Sequence, residues 1–398
     1  MDRRKFLGLA SVAGLTLAAR GALASPAARA VRSALGGRPP LLLTIHAGGG
    51  WDPTSLCDPK GGAVNRQFAA RDIVTTAHGH RVAPHPEIRR FFARHGERLL
   101  VINGVDTGTR NHDDGLRHTG SGRRADAPSL AALVAASHGQ DLALPYISFG
   151  GHDETLGVVP RVRSGDGEAA RLANPDRVDP DAGPTLFDLG DDGPVFSATL
   201  DPDAVRRLHR HLPALDDSDN PLIRQIQIAM AAHRAGLTAA VNLELHGFDT
   251  HEDHDAQHTP RLVQLLRGLE FIREEADRQQ LGDDYLAVVT SEFGRAPTYN
   301  AHDGKDHWPV TSVLAMGKGI TGRTIGATSD RLEALAVDPR TLAVDPRGVH
   351  ITPAHVHHNL RRLTGVADGP LARRYPLGVP DELDLLGPSA ARQRPLVA

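Results

Sequence analysis

The chain has 398 residues, 40% of them hydrophobic, and a formal net charge of −3. That length allows one large α/β domain or two smaller ones, and that charge leaves no basic excess for nucleic acid or an anionic membrane. One cysteine, Cys57, excludes an intramolecular disulfide.

Residues 1–24 read as a twin-arginine signal peptide. Arg3-Arg4 precede a modest apolar run and a small-residue cleavage site, Ala22-Leu23-Ala24, with Ala28-Arg29-Ala30 as a second candidate. The run is too short and weak for a stable membrane span. Residues 25–40 read as a linker and 41–398 as a single domain. The expected partner of the leader is the twin-arginine export machinery, and the expected location is periplasmic or extracellular.

The run Leu41 to His46 suits a central strand and ends in Gly48-Gly49-Gly50, where backbone can approach a ligand. His46 and Asp52 flank that turn. A second strand over 98–105 leads into Asn111-His112-Asp113, at the start of a short helix, where backbone N–H groups favour anions; a plain helix cap is the alternative. A helix comes next over 129–137, then a strand and turn over 144–151. Residues 152–220 are rich in Asp, Gly, Pro and Arg and read as a lid or cap insert.

Residues 221–236 read as a helix with Pro at its first turn, and 239–245 as a strand ending in His246-Gly247-Phe248-Asp249-Thr250-His251. An amphipathic helix is expected over 259–280. Tyr285 to Thr290 is the next buried strand, with Glu292 just past its end. Gly294, Pro297 and Gly304 mark the segment after Glu292 as a loop, carrying His302, Asp303, Asp306 and His307. A local Glu292–Arg295 ion pair is the plain alternative for that stretch. A strand over 312–316 and a helix over 353–363 close the pattern. Alternating strands and helices predict an α/β fold with a mainly parallel central sheet and helices on both faces. The strands at Leu41, Leu99, Val241, Leu286 and Val313 are expected in that one sheet.

Three distant segments therefore end apolar runs in ligand-type residues: Asp249 and His251, Glu292, and Asp306 with His307. His46 is a further candidate. Such a buried cluster needs a cation to compensate it. One or two divalent ions are expected, of zinc, manganese, iron, magnesium or calcium. The sequence has no Gly-x-Ser-x-Gly elbow, no His-Glu-x-x-His and no phosphate-loop lysine, which argues against three common hydrolase classes.

The motifs Gly247-Phe248-Asp249-Thr250-His251, Ser291-Glu292-Phe293-Gly294-Arg295, Asp306-His307-Trp308-Pro309 and Gly322-Arg323-x-x-Gly326 resemble the domain of unknown function 1501. That resemblance implies an alkaline-phosphatase-like fold and an exported, metal-dependent hydrolase of phosphate or sulfate esters. It places the catalytic position at Asn111 and His112 and matches Asp249, His251 and His307 to metal ligands. Phe293 stands where that superfamily usually has His, and no Ser or Thr occupies the nucleophile position. The alternative is a non-catalytic envelope or export assembly protein that kept the fold.

Overall fold

The computed structural model describes residues 40–163, 202–379 and 381–386. The stretch expected to be a signal peptide, nearly all of the expected linker, and residues 164–201 of the expected insert lie outside the described residues. In chain order the strands are β1 (Leu41–Gly48), β2 (Val74–Thr75), β3 (Arg81–Val82), β4 (Leu99–Asp106), β5 (Tyr146–Ser148), β6 (Arg161–Arg163), β7 (Ala240–His246), β8 (Tyr285–Thr290), β9 (Gly294–Tyr299), β10 (Lys305–Trp308), β11 (Val310–Gly317) and β12 (Arg323–Ile325). The helices are α1 (Pro86–His95), α2 (His112–Ser121), α3 (Leu130–His138), α4 (Pro202–His211), α5 (Pro221–Arg234), α6 (His254–Arg278), α7 (Pro353–Leu363) and α8 (Pro370–Arg374).

Eight strands form one sheet in the order β12-β4-β11-β8-β1-β7-β5-β6. Every neighbouring pair is parallel except the two that β11 makes. The sheet is thus mixed and mainly parallel, as the alternation implies, and holds all five expected strands. Period-two alternation divides each strand between two cores. Leu41, Leu43 and Ile45 face the core that includes Phe91, Ile226 and Leu265, from α1, α5 and α6. Leu42 faces the opposite core with Leu130 of α3 and Val356 and Leu360 of α7. Helices cover both faces, so the central strands read as continuous apolar runs.

Register brings the ends of the strands level. His46 of β1 lies opposite Glu244 of β7 and Thr290 of β8. The loops after β1, β7 and β8 therefore leave the sheet at one edge. β4 runs in the same direction, so α2 also starts at that edge.

Two expectations are corrected. The segment after Glu292 is a hairpin, with His307 paired to Arg295 and Trp308 to Gly294. Pro297 is tolerated because it lies in a two-stranded ribbon outside the main sheet. Helix α6 begins at His254, five residues before its expected start, and carries Pro260 inside it. The glycines after β1 serve packing against protein. Gly49 has φ +119°, and a Cβ there would lie 2.3 Å from the Asp249 backbone nitrogen. Among the described residues no helix is long and apolar enough to cross a membrane.

Candidate metal centre

The loop after β7 alternates between inside and outside. Phe248 and Thr250 are buried, which turns Asp249 and His251 outward, both near half-exposed. His112 opens α2, behind the Asn111 cap whose side chain accepts from the Asp114 N–H at 3.1 Å. His307 reaches in from β10.

Hydrogen bonds fix the ring protons of three histidines. His112 Nδ1 donates to Glu292 Oε1 at 2.9 Å. His251 Nδ1 donates to Asp306 Oδ1 at 3.1 Å. His307 Nδ1 donates to the Arg110 carbonyl at 2.8 Å. In each neutral ring Nε2 is left with a lone pair, and each Nε2 faces Asp249. The separations are 3.1 Å from Asp249 Oδ1 for His251 and His307, and 3.6 Å from Oδ2 for His112. His251 Nε2 and His307 Nε2 stand 2.9 Å apart. Two lone pairs at that distance repel unless a cation lies between them, either a proton on one ring or a metal bound to both.

The spacing suits a metal. With bonds of about 2.0–2.1 Å, ligand atoms on one ion stand roughly 2.9 Å apart at right angles and roughly 3.4 Å apart at tetrahedral angles. His112, Asp249 and His307 each offer an atom within 4.8 Å of the others, and His251 Nε2 stands outside that group of three, beside Asp249 and His307 alone. Three imidazoles and one carboxylate fit zinc, manganese or iron better than an all-oxygen ion such as calcium. Phe293 walls the site, its ring 4.2 Å from that of His307 and 4.9 Å from that of His112.

Glu292 stands behind His112 and does not reach the shared point. Its Oε1 also accepts from the Gly49 N–H at 2.8 Å, and its Oε2 lies 3.3 Å from His46 Nε2. Burial pushes this carboxyl up, but the His112 hydrogen bond, His46 and the Gly49 N–H hold it at about 2. The same bond to Glu292 raises His112 above its ordinary value, with Asp249 adding to it. Asp249 is held below its usual range, against burial, by Arg295 and His307.

Arg295 pairs with Asp249 at 2.6 Å, and the plain alternative, a local pair with Glu292, is not among the ion pairs of the described residues. It also donates to the carbonyls of Gly50 at 2.7 Å, Lys305 at 2.8 Å and Gly49. With four contacts in use and 1% exposure, this guanidinium clamps the β1 and β7 loops together.

A second, fully buried network lies below. Asp52 Oδ2 accepts from Lys305 Nζ at 2.7 Å and lies 3.2 Å from His254 Nε2. The Asp52 N–H donates to His258 Nε2 at 2.8 Å. Thr250 Oγ1 lies 3.2 Å from His258 Nδ1 and 2.6 Å from His254 Nδ1. One proton assignment satisfies every atom: His258 Nδ1–H to Thr250, Thr250 O–H to His254, and His254 Nε2–H to Asp52. The Lys305 ammonium already supplies the cation, so Asp52, which flanks the glycine turn, pairs there and does not join the metal centre.

The structure thus gathers Asp249, His251, His307 and His112. It sets Glu292 behind His112, Asp306 behind His251 and His46 behind Glu292. Asn111 caps a helix outside the cluster. Arg295 and Lys305 belong to the surroundings of the site but carried no spacing signal, because their partners are Asp249 and Asp52, distant in sequence.

Residues 206–369 match the family model described as "Protein of unknown function (DUF1501)". That segment holds Asp249, His251, Glu292, Asp306 and His307, whereas His46, Asn111 and His112 precede it. No curated protein matches the chain in sequence. Among solved structures, the chain is similar to alkaline phosphatase from the Antarctic bacterium TAB5 at 9% identity and TM-score 0.34, over 72% of this chain and 94% of that one. It is similar to a Bacteroides fragilis protein described as a candidate sulfatase at 11% identity and TM-score 0.36, over 83% and 75%. It is also similar to Ps i-CgsB, solved with k-i-k-neocarrahexaose, at 8% identity and TM-score 0.38, over 88% and 76%. At TM-scores this low the likeness says nothing about chemistry.

Proposed function

We propose that this protein is exported by the twin-arginine route and binds one divalent metal ion through His112, His251, His307 and Asp249. We further propose that it hydrolyses phosphate or sulfate esters at that centre. The observation that carries the metal reading is the shared aim of three Nε2 atoms, each on a ring whose Nδ1–H is already held. Carboxylates or carbonyls behind ligand histidines fix the tautomer and raise ligand basicity. A bound ion supplies Lewis acidity toward an ester oxygen. The chain's own part is to hold three neutral imidazoles and a carboxylate in place, with Phe293 walling one side.

One observation favours the non-catalytic alternative. Among the described residues, no Ser or Thr hydroxyl hydrogen-bonds to any of the four groups, so covalent transfer to a side chain lacks its nucleophile. Assay of metal-loaded protein on p-nitrophenyl phosphate and p-nitrophenyl sulfate separates the two. Turnover that is lost in Asp249→Ala supports the hydrolase. A metal-bound protein inert on both esters supports the envelope or assembly role.

A further inference from the structure

Two arginines meet in this fold with no acid between them. Arg361 lies near the end of α7 and is 3% exposed. Its Nη1 donates to the Tyr375 carbonyl at 2.7 Å, but its Nε and Nη2 are buried without a hydrogen-bond partner. Arg123, just past α2, donates to the next carbonyl, that of Pro376, and its buried Nε is also unpartnered. His358 shares a face of α7 with Arg361 at i, i+3 spacing, and its Nε2 makes no hydrogen bond.

A cavity of about 390 Å³ adjoins Arg361 and His358, lined by these two with Arg362, Asp368, Leu377 and Glu382 among others, and Arg123 stands behind Arg361, outside that lining. Its acids do not supply the missing partner. Glu382 turns toward His358 at 3.8 Å with its side chain mostly exposed. Asp368 makes no ion pair with either arginine among the described residues. Burial pushes the Arg361 guanidinium down to about 10, and the Arg123 charge adds to that. Buried, unpaired charged donors are costly. A water could accept only two of these hydrogens and would leave the charge uncompensated.

We propose that this cavity binds a small tetrahedral oxyanion, of the phosphate or sulfate class, on the free N–H groups of Arg361 with Arg123 and His358 beside them. Guanidinium forks match such oxygens in geometry and charge. None of these residues belongs to the metal centre, so the site stands or falls independently of it.

Thermal unfolding of the full mature chain in a chelator tests this. Inorganic phosphate and sulfate are titrated separately against sodium chloride at matched ionic strength. The expected result is a saturable rise in Tm with at least one oxyanion, beyond the chloride control. Arg361→Met should abolish the rise and be no less stable than the parent in chloride. Arg123→Gln should raise the midpoint concentration by about tenfold or more, and it decides the matter should Arg361→Met not fold. His307→Ala should keep the rise. A parent protein that responds no more to either oxyanion than to chloride overturns the proposal, as does a rise that survives both arginine substitutions.

Discussion

Glu292 Oε1 lies 2.9 Å from His112 Nδ1 and thereby determines which nitrogen of that ring faces Asp249. Glu292→Gln keeps the shape and removes the charge. Losing a carboxylate behind a ligand histidine typically weakens metal binding by about 10–100-fold. The variant should fold and bind zinc that much more weakly in a competition titration. Unchanged affinity would mean that His112 is not a ligand.

The Asp52–Lys305 pair is fully buried. Lys305→Met leaves a carboxylate without its cation and should cost about 3–5 kcal/mol in urea unfolding. Asp52→Asn combined with Lys305→Met should cost less than the two single changes added together. Simple additivity would show that the two side chains do not act as a pair.

Acid should unfold the metal-free protein in stages. Burial holds His258 well below its ordinary value, with His254 adding to that, and burial holds His357 at about 3. Below their unfolded value of 6.5 the unfolded chain binds the extra protons, so stability falls as pH drops from there. Each such group contributes a slope of about 1.4 kcal/mol per pH unit. Glu292 has a folded value of about 2 against an ordinary 4.5. Its contribution is present above 4.5 and is lost as pH falls from 4.5 toward 2. His112 works in the opposite sense. Its raised value adds stability below 6.5 that fades as pH rises through its folded value. Urea midpoints against pH check this, and His357→Gln should flatten the upper acid limb by about one proton's slope. A flat profile across the acid range would contradict the assignment.

Most of the sheet is legible in the sequence because central parallel strands are buried on both faces and read as unbroken apolar runs, as Leu41 to His46 does. The direction of β11 is not legible, since an apolar run looks the same either way. The β9–β10 hairpin reads as a loop because Pro297 and Gly304 usually signal one. The start of α6 is hidden because Glu252, Asp253 and Asp255 make the stretch before Thr259 read as a polar turn, whereas His254 and His258 are buried against Asp52. Asp249, His251 and His307 stand out by residue type at the ends of apolar runs. The place of Glu292 behind His112 is not visible, since it depends on α2 starting at the edge where β8 ends.

The proposed export route rests on the Arg3-Arg4 pair. Replacing Arg3 and Arg4 together with lysine should retain the precursor in the cytoplasm, seen by fractionation and immunoblotting. Unchanged export would rule out the twin-arginine route.

The most direct test of the metal centre is elemental analysis of the protein purified without a metal-affinity step and then equilibrated with zinc, manganese or iron. The expected result is about one tightly held ion per chain. That ion should be lost together with thermal stability in Asp249→Ala and in His307→Ala, and retained in His302→Ala, an exposed ring on the same hairpin. A parent protein that holds no ion after equilibration, or full occupancy in both ligand variants, would contradict the account. A proton shared between His251 and His307 would then remain as the cation between them.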